Sequence, residues 1–298
     1  MRFVRYMSGS STAAYLGRLE GESVIGALSH SGCIAPTHEL WKMIAREDAP
    51  VRSLSDVQLL APVCPGKIVC VGLNYADHAA ESGSSLPVQP LLFSKWPSSL
   101  AGPFDEVVLP GQDEYPDWEA ELCIVIGERA THLPDSQAGL GAIGGYTVIN
   151  DVTGRQSQQS DGQWARGKGY DSFAPVGPCV VHSDAIDPFH ARLGCAVDGV
   201  VMQESSTSNL VFDVGQLVAY ISWQCTLEPG DLVATGTPAG IGYGRRPPLR
   251  LEPGQLMETW VEGIGRMSNP VVAGRFDDGA LASILRTSSG QLSGGAAF

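Results

Sequence analysis

The chain has 298 residues, enough for one large domain or a large domain with a small appendage. Charged residues make up only 17%, against roughly 25% in an average soluble domain, while 36 glycines and 20 prolines point to a strand- and loop-rich globule. With 19 basic against 32 acidic residues and a net charge of −13, the surface repels phosphate backbones and anionic lipid; nucleic-acid and membrane partners are excluded and a small-molecule partner is expected.

No apolar run approaches the ~20 residues that span a bilayer. The N-terminal MRFVRYMSGSSTAAY lacks the continuous apolar stretch of a secretory signal, so a cytoplasmic location is expected. Seven cysteines, odd in number, scattered and never spaced C-x-x-C, suggest neither a disulfide framework nor a zinc knuckle, and most are expected to be small buried hydrophobes.

In chain order, AAYLGRLEGESVIGAL reads as two strands around Glu20-Gly21 and HELWKMIARED as a helix, which together make a small N-terminal α/β unit over residues 1–62. The Pro-rich join from Ala61 to Gly66 separates it from a main domain over 63–275. That domain opens with a buried strand, Lys67 to Gly72. Further apolar runs of strand length follow at Leu122 to Ile126, Gly144 to Ile149, Cys179 to His182, Asp231 to Thr235 and Leu256 to Val261. The pair Asp198-Gly199 inside LGCAVDGVVMQ marks a hairpin turn. Leu210, Val211, Val214, Leu217, Val218 and Ile221 form one helical stripe, with Ser208-Asn209 as expected caps. Residues 276–298 are small and polar and are expected to form a flexible tail. The predicted class is α+β, rich in strands, and no internal repeat is present.

Chemistry concentrates in DWEAELCIVIG. In a strand, side chains alternate between faces, so Glu119 and Glu121 project together. Such a pair is either a solvated strand edge or, if buried, a site that needs a cation or a shared proton. Asp151, where the chain leaves the run IGGYTVIN, adds a third carboxylate. Three carboxylate oxygens plus waters suit Mg²⁺ or Mn²⁺ rather than zinc, because no histidine and no cysteine pair lies near them in sequence. In GLNYADHAAE, His78 and Glu81 stand three apart. On a helix they are either a surface pair or an imidazole whose tautomer and basicity a carboxylate sets.

The order of GLNYADHAAE, DWEAELCIVIG, INDVTGRQSQ, WARGKGYDSFAPVGP and LEPGDLVATGTPAGIG resembles the fumarylacetoacetate hydrolase family over roughly residues 63 to 272. The resemblance implies a mixed β-roll, a Mg²⁺ or Mn²⁺ cofactor and a homodimer. It implies Glu119, Glu121 and Asp151 as metal ligands, His78, Glu81 and Lys168 as catalytic residues, and Arg155, Gln158 and Thr237 as substrate contacts. By position alone Lys168 reads as a surface lysine and Thr237 as a turn residue. The chain departs from the family pattern at Gly154, at Gln156 where an Asp is common, and at Gly167; loss of that Asp removes a partner for Arg155, which is then freed toward a substrate anion or displaced.

The implied activity is hydrolysis of a C–C bond in a 2,4-dioxo acid, such as an acylpyruvate, by water that His78 and Glu81 activate, with Lys168 and Gln158 holding the oxyanion. Oxaloacetate decarboxylation, or a related hydratase, isomerase or lyase step, would use the same ligands. A catalytically silent binding protein is the reading from another class, and retention of all three ligands together with the dyad and Lys168 argues against it. A nicotinamide enzyme is excluded, because no G-x-G-x-x-G follows a predicted strand.

Overall fold

The seven residues Ala120–Ile126 are all buried, so this strand is covered on both faces and reads as one apolar run rather than an alternating one. The computed structural model, which describes residues 1–275 except 10–12, 30–34, 46–48, 112, 114 and 161, places it at the centre of the larger of two main sheets. The expected tail from residue 276 lies outside the described residues.

The 12-stranded sheet runs, edge to edge, through Val51–Ser53, Ser23–Ser29, Tyr15–Glu20, Arg2–Ser8, Ala174–His182, Ile143–Asn150, Ala120–Ile126, Leu232–Ala234, Ile68–Gly72 and Leu91–Lys95, with two short strands paired off this path. It is mixed: Leu232–Ala234 lies parallel to Ile68–Gly72 and antiparallel to Ala120–Ile126. Arg2–Ser8 pairs with Ala174–His182 (Arg2 opposite Val181), so strands from both sides of the Pro-rich join share one sheet. A five-stranded sheet of Val200–Ser206, Arg192–Val197, Leu256–Val261, Gly265–Ala273 and Val107–Leu109 packs against it. One apolar cluster contains Leu122, Ile124 and Val148 of the first sheet together with Leu193, Val261 and Met267 of the second. The fold is α+β and strand-rich, as the sequence predicts. Among the described residues no helix is long and apolar enough to cross a membrane.

The predicted hairpin is present between Arg192–Val197 and Val200–Ser206; Asp198 (φ 50°) and Gly199 (φ 75°) both take the left-handed backbone of a type I′ turn. The predicted helix starts later than its apolar stripe, at Val214–Ser222. Asp213 is the N-cap and forms a capping box with Gln216: the Asp213 carboxylate accepts from the Gln216 N–H at 2.8 Å, and the Gln216 side chain accepts from the Asp213 N–H at 2.9 Å. Upstream, the Val211 and Phe212 N–H groups donate to the backbone carbonyl and side-chain oxygen of Asn74, which holds 210–212 extended.

This helix crosses Ser136–Gly141 at two glycines. A Cβ on Gly139 would lie 2.1 Å from the Gly215 carbonyl oxygen, and backbone cannot yield as a flexible side chain can. Alanine gains ~1 kcal/mol over glycine in a helix. Gly139→Ala is nevertheless expected to lower stability by about 1–3 kcal/mol, as overpacked cores do, seen as a lower urea midpoint at unchanged slope. An unchanged midpoint would show that the crossing has slack.

Candidate metal and proton-transfer site

Strand register builds the acidic cluster. Ala120 pairs with Asn150, so the residues just outside that pair, Glu119 and Asp151, also face each other, and the Asp151 N–H donates to the Glu119 carbonyl at 2.8 Å. Glu121 lies two residues along on the same face. Each of the three buried side chains offers a carboxylate oxygen within 4.8 Å of the others.

Cations compensate two of the three acids. The Lys168 Nζ donates to Glu119 at 2.8 Å and to Asp151 at 2.7 Å, while Lys95, fully buried, donates to the other Asp151 oxygen at 2.8 Å. Arg155 pairs with Glu119 at 2.6 Å and with Asp117 at 2.8 Å. Burial alone would raise the Glu119 carboxyl, but Lys168 and Arg155 outweigh it and hold it at about 2. Among the described residues Glu121 receives only the Gly236 N–H, at 2.7 Å. Burial, then Asp151 and Glu119 facing it, push its carboxyl well above the ordinary carboxylate range. A buried carboxylate facing two others with a single donor is a donor set for a hard divalent cation.

The imidazole approaches from the helix Ala76–Ser82. Buried Asn74 fastens the entry to that helix, donating to the carbonyls of Thr235 (2.8 Å) and Phe212 (3.1 Å). The His78 Nδ1 lies 3.4 Å from Glu81 Oε2, and the side chains are only 12% and 26% exposed, so this is not a solvated surface pair. The Gly240 N–H fixes Glu81, donating to its carboxylate at 3.0 Å.

His78, Glu119, Glu121, Arg155, Gln158, Lys168 and Thr237 line one cavity of about 70 Å³. Asp151 joins it through the triad, and Glu81 lines a larger chamber alongside. The fold thus brings all nine candidate residues together. The remaining two are engaged as well: Gln158 accepts from Arg155 at 3.2 Å, and the Thr237 hydroxyl donates to the Ala120 carbonyl (3.1 Å) and accepts from Gln203 (2.8 Å).

Residues 67–272 match the fumarylacetoacetate (FAA) hydrolase C-terminal family. The chain belongs to this family. It is 42% identical over 227 residues to human mitochondrial oxaloacetate tautomerase FAHD2B, covering 75% of this chain and 72% of that protein. Among solved structures it resembles a fumarylacetoacetate hydrolase from psychrophilic Exiguobacterium antarcticum, with TM-score 0.81 and 34% identity over 92% of this chain and all (100%) of the other. A 2-hydroxyhepta-2,4-diene-1,7-dioate isomerase from Mycobacterium marinum matches with TM-score 0.75 and 35% identity over 93% of this chain and 100% of its own.

In this member of the fumarylacetoacetate hydrolase family, the substitution of Gln156 does not free or displace Arg155. Asp117 takes the partner's place: its carboxylate accepts from Arg155 Nε at 2.9 Å and from the N–H groups of Gly242 (2.7 Å) and Tyr243 (3.0 Å). The other two departures are one packing event. A Cβ on Gly167 would lie 2.4 Å from the Gly154 carbonyl oxygen, and a Cβ on Gly154 would lie 2.4 Å from the Asp113 carboxylate. The paired glycines let the helix that carries Lys168 press against the start of the helix that carries Arg155.

Asp117 and Lys95 are the site residues that sequence reasoning missed. Asp117 carried a signal, since it stands two before Glu119 and shares the strand periodicity. Lys95 carried none: a lysine that ends the run LLFSK reads as solvated.

Proposed function

We propose that this chain is a divalent-metal enzyme that moves a proton at C3 of a 2-oxo acid, interconverting enol and keto forms or shifting an adjacent double bond. The observation that carries this reading is a His78–Glu81 pair on the cavity beside a carboxylate triad that can hold a cation, the two parts that proton transfer at C3 of a 2-oxo acid requires. The His78–Glu81 pair keeps its access to the cavity.

Glu119, Glu121 and Asp151 would hold Mg²⁺ or Mn²⁺. Bound there, the cation supplies positive charge for the oxygens of the substrate's 1-carboxylate and 2-oxo group, which lowers the cost of negative charge on them. With Glu121 protonated, the carboxylates of Asp117, Glu119 and Asp151 balance Lys95, Arg155 and Lys168. A divalent ion that displaced the Glu121 proton would leave one positive charge in excess and make the cavity attractive to an anion.

Glu81 accepts the Nδ1–H of His78 and so leaves Nε2 as the base. In the keto-to-enol direction, Nε2 removes a proton from C3, the C2=C3 double bond forms, and the 2-oxo oxygen takes up a proton. The enol-to-keto direction reverses each transfer and conserves every atom. A tautomerase and an isomerase among the relatives support a reaction that adds no water.

The test follows enol absorbance of oxaloacetate with Mg²⁺- or Mn²⁺-loaded protein, alongside an acylpyruvate in H₂¹⁸O. Enol decay faster than with metal alone, with no cleavage of the acylpyruvate, is expected. Acylpyruvate cleavage with ¹⁸O in the released carboxylate would replace this reading with hydrolysis; release of CO₂ and pyruvate from oxaloacetate as the catalysed step would replace it with decarboxylation.

A further inference from the structure

We propose that Asp77 is a positioning residue: with Ser205 it sets the spacing between His78 and the carboxylate triad, and the strand Val200–Ser206 is the ruler. This deepens the proton-transfer reading and rests on it for the reaction that His78 serves.

The helix Ala76–Ser82 has only seven residues, and its N-cap, Tyr75, makes no side-chain cap bond. Isolated helices shorter than ~12–15 residues are marginal in water, so the place of the imidazole is imposed from outside the helix. Glu81 supplies one tie, to the Gly240 N–H. Asp77, at the other end, supplies the rest. Its Oδ2 accepts from the Ser205 hydroxyl at 2.5 Å and from the Asn209 side-chain amide at 3.3 Å. Its Oδ1 accepts from the N–H groups of His78 (2.7 Å) and Ala239 (3.4 Å). Asn209 also donates to the Ser205 oxygen at 3.0 Å, which turns the hydroxyl proton toward Asp77. Among the described residues Asp77 meets these donors and no cation, so its charge strengthens hydrogen bonds that fix the helix.

The same strand reaches the triad. Gln203 stands two residues before Ser205, so both side chains leave one face of the strand. Buried Gln203 accepts from the Ala120 N–H at 2.9 Å and donates to the Thr237 hydroxyl (2.8 Å) and the Pro238 carbonyl (3.0 Å). Ala120 is the residue between Glu119 and Glu121. One strand therefore grips the triad through Gln203 and the helix of the base through Ser205. The loop 237–240 closes the circuit: Thr237 and Pro238 bond to Gln203, Ala239 to Asp77 and Gly240 to Glu81. Neither Asp77 nor Ser205 is among the residues that line the inner cavity, so a defect in either reaches the substrate through His78.

The experiment follows C3 hydrogen exchange of oxaloacetate in D₂O and, on the same Mg²⁺-loaded full chain, the ¹⁵N shifts of the His78 ring. Ser205→Ala leaves every residue of the helix in place. It is expected to lower kcat about 10–100-fold, the scale of a small misplacement, with KM and the Kd for Mg²⁺ unchanged, while a ring that is one Nδ1–H tautomer in the wild type becomes a mixture. Ser205→Thr keeps the hydroxyl and is expected to retain both wild-type readouts. Asp77→Ala should lose at least as much as Ser205→Ala, and the double variant no more than Asp77→Ala alone, because one contact is broken in each. A Ser205→Ala protein that loses only thermal stability, with kcat and ring shifts intact, overturns the proposal, as does a double variant whose losses multiply. Failure of the proton-transfer reading looks different: the wild type exchanges C3 hydrogens no faster than metal alone, while the His78 ring still loses its single tautomer in Ser205→Ala.

Discussion

Glu121→Ala is expected to lose Mg²⁺ or Mn²⁺ binding by at least about 100-fold in calorimetry, the loss that even a residue supporting a metal ligand produces, while the protein still unfolds cooperatively. The Glu121 side chain lines the cavity, and its carboxylate accepts the Gly236 N–H, so the substitution removes a ligand at the cavity wall. Stability gives a second signature. Because burial and the facing Asp151 and Glu119 raise the Glu121 carboxyl, the metal-free fold resists its ionisation, and the wild type is destabilised by that group above the ordinary carboxyl range and relieved of it as pH falls. Glu119 acts in the opposite sense: held at about 2 against an ordinary 4.5, it contributes stability that is complete above about 4.5 and is lost as pH falls toward 2. Metal-free protein should thus be most stable just above the ordinary carboxyl range. Added divalent cation should raise Tm by an amount that grows with pH, since it displaces the Glu121 proton. Retained metal affinity in Glu121→Ala, or a metal-induced Tm rise that shrinks with pH, would place the cation elsewhere.

His78→Ala should lower kcat by about 10²–10⁴-fold, the usual cost of a lost general base, while the Kd for metal changes little. The imidazole lines the cavity and its hydrogen bond is to Glu81, which is not one of the three triad carboxylates, so the two readouts separate. Glu81→Gln should cost less, because it misplaces the His78 tautomer without removing the base. An unchanged kcat in His78→Ala would reduce the pair to a brace between the helix Ala76–Ser82 and the loop at Gly240.

Much of this site was legible in the sequence because strands encode it locally. Period-two alternation puts Glu119 and Glu121 on one face; whether that face is solvated or buried stayed open in the sequence, and the structure shows both residues buried. Asp151 was readable from its place after the run IGGYTVIN, and the family resemblance named it a ligand; the antiparallel register that sets it opposite Glu119 is not specified by local patterns. What stayed hidden depends on partners distant in sequence. Lys95 is decided by a carboxylate 56 residues away and buried with it. The late start of the helix Val214–Ser222 is decided by Asn74, which claims the backbone of 211 and 212. Arg155 was misjudged for the same reason: its neighbour Gln156 suggested a missing acid, and the acid that holds it, Asp117, lies 38 residues upstream. The pairing of Arg2–Ser8 with Ala174–His182 is likewise invisible in either segment alone.

The central claim is that this site abstracts a proton from C3 of a 2-oxo acid. Proton NMR of oxaloacetate in D₂O with metal-loaded protein tests it directly. The account predicts loss of the C3 signal well above the rate with metal alone, abolished in His78→Ala and accompanied by no C–C cleavage; exchange no faster than the metal blank, or cleavage without exchange, would contradict it.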